Sequence, residues 1–145
     1  MQVKIKKLNP KAKIPTYGTE FSAGADLYNM EGNDVTVKAH CTVLIPLGFA
    51  IEIPVGYAGL VFARSGLAMK RGIAPANKVG VIDSDYRGEC MVALHNHSDE
   101  DVVIEGGERV AQLSIVPFLK AEFEEAADLS STERGGGGFG STGKK

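Results

Sequence analysis

Ala63-Arg64-Ser65-Gly66-Leu67-Ala68 sets a guanidinium immediately before a short helical pattern. Ser65 is a good N-cap there. Free backbone N–H groups, a helix dipole of roughly half a charge, the Ser65 hydroxyl and the Arg64 fork would converge on an anion. A plain cap with a solvated arginine explains the same residues. Asp83 closes the apolar run Gly80-Val81-Ile82, where a carboxylate is costly unless used. Asp85 has a simpler origin, since hairpin turns often contain aspartate, and Tyr86 is either a surface ring or the floor of a pocket. Asp26 lies between small residues and the start of a strand. Gln112, whose amide can donate to an anion, follows Gly107-Glu108-Arg109.

The chain ends in a stretch that cannot build a core yet carries one guanidinium, Arg134, and one ring, Phe139, among glycines. Glycine loses more backbone freedom on ordering than any other residue, and it also lets a backbone lie close to a ligand. Arg134 suits phosphate and Phe139 suits stacking. Residues 132–145 therefore read as a mobile lid over something both aromatic and phosphorylated, with residues 1–131 as the folded domain. An idle terminus is the alternative.

These groups need a scaffold, and the pattern around them is β. Short β-rich runs at 35–37, 42–45, 49–53, 60–62, 91–94, 102–104 and 113–116 are separated by glycine, proline and asparagine. Close spacing with turn-rich joints predicts an all-β barrel or sandwich rather than alternating βαβ units. The segment from Gly80 to Val92 reads as a β-hairpin. One short helix is expected, from the Ser65 cap through Lys70 and Arg71 to a left-handed stop at Gly72. At about two turns it is too short to stand alone in water, so the sheet must hold it.

Bulk properties narrow the partners. The 145 residues carry a net charge of −2, which argues against nucleic acid or an acidic membrane as the main partner. No apolar run approaches the roughly 18 residues of a membrane span, and the N-terminus lacks the apolar centre of a signal peptide. Cys41 and Cys90 show no metal or redox spacing and are expected to be small buried residues in a reducing cytoplasm. The sequon at Asn96 is then a chance match.

Taken in order, the five patches around Asp26, Arg64, Asp83, Gln112 and the tail resemble the trimeric deoxyuridine triphosphatase family. The likeness runs from Ala23 to Gly143, and Ala63 departs from it where the family usually has proline. The resemblance implies an all-β, jelly-roll-like barrel with one short helix, assembled as a homotrimer whose sites are shared between subunits. It also implies hydrolysis of dUTP to dUMP and pyrophosphate with Mg²⁺ as cofactor. By the same resemblance Asp83 is the catalytic aspartate that deprotonates the attacking water, and Asp26 holds the metal through water. Arg64, Ser65, Gly66 and Gln112 meet the phosphates. Asn77 and the backbone of Gly80, Val81 and Ile82 read uracil, Met91 packs on the base, and Tyr86 lies beneath the deoxyribose. Arg134 contacts phosphate and Phe139 stacks over uracil.

Other readings meet specific obstacles. A dCTP deaminase shares this fold but needs a glutamate where the chain has Ala93. The P-loop-like match from Gly138 to Lys144 has neither a preceding strand nor a following helix. A non-catalytic trimeric regulator would be expected to have lost Asp83, Arg64 or the tail. His95 and His97 share a strand face, and without a third ligand they read as an exposed pair.

Overall fold

Residues 1–138 are described by the computed structural model. Among these residues eleven strands and one helix follow in the order β1(Lys4–Lys7), β2(Thr16–Tyr17), β3(Ala25–Tyr28), β4(Val35–Val37), β5(Thr42–Glu52), β6(Tyr57–Phe62), α1(Ser65–Arg71), β7(Ile73–Pro75), β8(Gly80–Ile82), β9(Glu89–Asn96), β10(Val102–Ile104) and β11(Arg109–Pro117). They form sheets β1-β5-β9-β7, β2-β3-β11-β6-β8 and β10-β4. The expected all-β, jelly-roll-like architecture with one short helix is what forms.

The core lies where the inward faces of the sheets meet. Along β9 every second residue turns inward, so Cys90, Val92, Leu94 and Asn96 are buried while Glu89, Met91, Ala93 and His95 are not. From β5 come Ile45, Leu47, Phe49 and Ile51, and β11 adds Val110, Ala111 and Leu113. Burying a side chain such as Phe49 stabilises the fold by about 1.5–3 kcal/mol. Asn96 is also buried, and its amide donates to the carbonyls of Val37 and Glu100 at 2.9 and 2.7 Å. That satisfies a group which would otherwise be expensive to bury.

The two runs expected at 42–45 and 49–53 are one strand, β5. Pro46 and Gly48 suggest a break, but pairing with β9 and β1 carries the strand through an irregularity between Pro46 and Ala50. Gly48 is required there. Its φ is +73°, and a Cβ would come within 2.9 Å of the Ala12 side chain.

The helix is capped one residue earlier than expected and begins at Ser65 itself. Arg64 is the N-cap, Ser65 is the first helical residue, and no side chain caps the start. Gly72 closes the helix in the left-handed conformation, as expected, with its N–H bonded to the Ala68 carbonyl at 3.1 Å. Buried Leu67 anchors α1 to the core. No helix among the described residues is long and apolar enough to cross a membrane.

Candidate active site

One cluster of candidate residues gathers around Asp26. Strand β11 lies between β3 and β6, so Gln112 pairs with Asp26 on one side and Phe62 on the other. Two residues past Phe62 comes Arg64. Asp26 is only 4% exposed. Its Oδ1 accepts the Arg64 Nε–H at 2.9 Å, and its Oδ2 accepts from Arg109 Nη1 at 3.2 Å. Gln112 Nε2 makes a longer contact of 3.5 Å to Oδ1. A buried carboxylate is costly unless paired, and two guanidiniums offset that cost. Ser65 and Gly66 lie exposed at the helix start, with open space around Gly66.

The donor set at Asp26 admits a metal only in one manner. Among the described residues no three His, Cys, Asp or Glu side chains are grouped to hold an ion. A carboxylate offers about four lone-pair sites, and the three contacts leave one for a metal-bound water. Mg²⁺ keeps several waters and is commonly held by one or two carboxylates together with substrate phosphates. The residues fit an ion that arrives with a polyphosphate, not a resident one.

The second cluster lines a cleft. Strands β8 and β9 are not a paired hairpin as the sequence suggests: β8 pairs with β6, and β9 pairs with β5 and β7. The arms enter different sheets and splay apart. β8 is an edge strand, so one side of its backbone has no ladder partner and can face a ligand. Between the arms lies a cleft of about 270 Å³ lined by Leu44, Val81, Ile82, Asp83, Tyr86, Glu89, Cys90 and Met91. A smaller recess of about 100 Å³ includes Asn77, Gly80, Val81, Ile82 and Met91.

Asp83 follows β8 directly and is exposed, so the burial cost that singled it out does not apply. Its carboxylate makes no hydrogen bond among the described residues and stays available on the cleft wall. Tyr86 is fixed by two contacts. Its hydroxyl donates to the Glu89 carbonyl at 3.0 Å, and its ring lies so close to Gly88 that a Cβ there would come within 2.6 Å of Cζ. Glu89, which sequence reading passed over, accepts the Gly48 N–H at 3.0 Å.

Asp26, Arg64, Arg109 and Gln112 line neither of these two recesses, although β11, β6 and β8 are consecutive neighbours. Among the described residues Arg134 makes no hydrogen bond or ion pair to either cluster, and its Nε–H bonds the Gly137 carbonyl at 2.9 Å. Phe139 lies outside the described residues. Beyond β11, residues 118–136 are all exposed, including Leu119, Phe123 and Leu129. Cys90 is buried as expected, but Cys41 is exposed because it sits in the turn before β5. His95 and His97 stack edge to face at 4.5 Å.

A family model described as dUTPase matches residues 10–143. The chain belongs to the dUTPase family. The deoxyuridine 5'-triphosphate nucleotidohydrolase of Nautilia profundicola is 53% identical over 144 residues, covering 99% of this chain and 100% of the relative. That of Syntrophotalea carbinolica is 46% identical over 141 residues, covering 97% and 96%. The solved dUTPase of Staphylococcus bacteriophage 80alpha with dUpNHpp is 28% identical, covers 98% of both chains and matches with a TM-score of 0.88. The matched span includes both clusters and reaches into the glycine-rich tail, so membership of the family embraces every patch that carries candidate chemistry.

Proposed function

We propose that the chain hydrolyses dUTP to dUMP and pyrophosphate in the cleft between β8 and β9. The observation that carries this reading is the exposed, unengaged carboxylate of Asp83 on the wall of that cleft, beside an unpaired strand edge. Asp83 orients a water and takes its proton. The water oxygen bonds to the α-phosphorus, the bond from that phosphorus to the bridging oxygen breaks, and pyrophosphate leaves with the electron pair. A positioned base of this kind contributes about 10²–10⁴-fold.

Uracil is read by Asn77 and the backbone of Gly80, Val81 and Ile82, with Met91 packed on the base. Tyr86, held by the Glu89 carbonyl, lies beneath the deoxyribose and leaves no room for a 2′-hydroxyl. Arg64, Ser65, Gly66 and Gln112 receive the phosphates. Mg²⁺, held by Asp26 through water, supplies neutralisation of the triphosphate charge when bound.

The clusters are assigned to different copies of the chain in a homotrimer, and residues 132–145 close the site as a lid, Arg134 on phosphate and Phe139 on uracil. Support comes from the absence of the Asp26 cluster from the lining of the β8–β9 recesses and from the exposed Leu119, Phe123 and Leu129, which favour burial against another surface. In the cell, a cytoplasmic enzyme of this kind limits uracil incorporation into DNA and supplies dUMP for thymidylate. A pyrophosphate-release assay with Mg²⁺ across dUTP, dCTP, dTTP and UTP tests the reading. Release from dUTP alone supports it, and equal release from all four contradicts it.

A further inference from the structure

Arg109 faces the same carboxylate as Gln112, although strand geometry should forbid it. Side chains alternate along a strand, so residues three apart point to opposite faces. Here Arg109 pairs with Tyr28, while Ala111 pairs with Leu27 and Gln112 with Asp26. Three residues of β11 therefore oppose two of β3, and the extra residue is a β-bulge. A bulge shifts the alternation by one, and bulges recur next to active sites, where they re-aim a side chain. Its effect here is to bring Arg109 and Gln112 onto the side of Asp26.

Arg109 meets the Arg64 side chain in two ways. Both guanidiniums bond Asp26, and Arg64 Nη1 also points to the Arg109 carbonyl at 3.5 Å. The far end of α1 is tied to the same place. Arg71, its last residue, bonds the Val103 carbonyl and, at 2.5 Å, Oε1 of Glu108, the residue directly before Arg109. The start of β11 thus holds the helix at both ends.

We propose that Arg109 is a positioning residue for the phosphate side of the site: aimed by the bulge, it fixes the Asp26 carboxylate and through it the direction of the Arg64 fork. This rests on the assignment of Arg64 to the substrate phosphates. Removing the Arg109 guanidinium leaves Asp26 with Arg64 as its one charged partner and only the long Gln112 contact beside it, so Arg64 and Asp26 can swing together. Contacts to the base and sugar, made in the β8–β9 cleft, should not change.

The test compares wild type, Arg109→Gln and Arg109→Lys by calorimetry with α,β-imido-dUTP and with deoxyuridine, alongside thermal melts. Arg109→Gln should weaken α,β-imido-dUTP binding about tenfold or more. Deoxyuridine affinity should stay within about twofold, and Arg109→Lys should recover part of the loss by keeping the charge. A lower melting temperature with unchanged α,β-imido-dUTP affinity, or an equal loss for both ligands, would overturn the proposal. Wild-type protein that binds neither ligand would overturn the dUTP reading itself, and the proposal with it. Should Arg109→Gln fail to fold, the ligand comparison in Arg109→Lys decides: a selective loss of imido-dUTP affinity supports positioning, and none overturns it.

Discussion

The Tyr86 hydroxyl donates to the Glu89 carbonyl at 3.0 Å, which holds its ring over Gly88 in the lining of the β8–β9 cleft. The ring is held by backbone and by the absence of a neighbouring Cβ, so its position follows from the turn itself. On the proposed reading this ring is the floor beneath the sugar and discriminates by steric exclusion.

Replacing Tyr86 with alanine removes that floor. Hydrolysis of UTP relative to dUTP should rise by roughly 10- to 100-fold in kcat/KM. Steady-state assays with both nucleotides measure it, and an unchanged deoxyribose preference would mean that the 2′ position is read elsewhere.

The two cysteines should separate cleanly in reactivity. Burial pushes the Cys90 thiol up from 9.0 to about 11, whereas Cys41 is exposed. At pH 8 a thiol reagent should modify one cysteine in the native protein and the second only after unfolding. The same shift affects stability. Above pH 9 the unfolded thiol ionises before the folded one, so the stabilisation from a neutral buried Cys90 is complete below pH 9 and declines as pH rises towards 11. Denaturation midpoints measured across that range should fall.

Deleting the chain after Thr132 should leave the folded domain intact. Among the described residues the last strand ends at Pro117, and the Phe118 N–H to Gly56 carbonyl bond of 3.0 Å survives the deletion. Melting temperature should change by only a degree or two, while kcat falls roughly 100-fold through loss of the groups that close the site. Full activity in the shortened protein would make the tail a passive linker.

Part of the candidate site was legible because its residue patterns are local. Gly80 to Tyr86 and Arg64 to Gly66 are short runs whose residue types point to a turn and to a helix start. What escaped depends on pairing across long separations. Nothing near Arg109 indicates that it meets Asp26, because that contact requires a bulge opposite a strand far away in sequence. The β8–β9 segment looked like a paired hairpin because turn chemistry is visible locally, whereas the choice of β6 and β5 as partners is made by the whole sheet. Pro46 and Gly48 likewise hid the continuity of β5, whose two ends are held by different neighbours.

The central claim is that Asp83 serves as the base for dUTP hydrolysis, and the most direct measurement is pyrophosphate release by Asp83→Asn with Mg²⁺. The substitution keeps size and polarity but removes the proton acceptor. Turnover should fall by about 10²–10⁴-fold while dUTP binding by calorimetry stays within a few-fold of wild type. Pyrophosphate release at the wild-type rate would contradict the account.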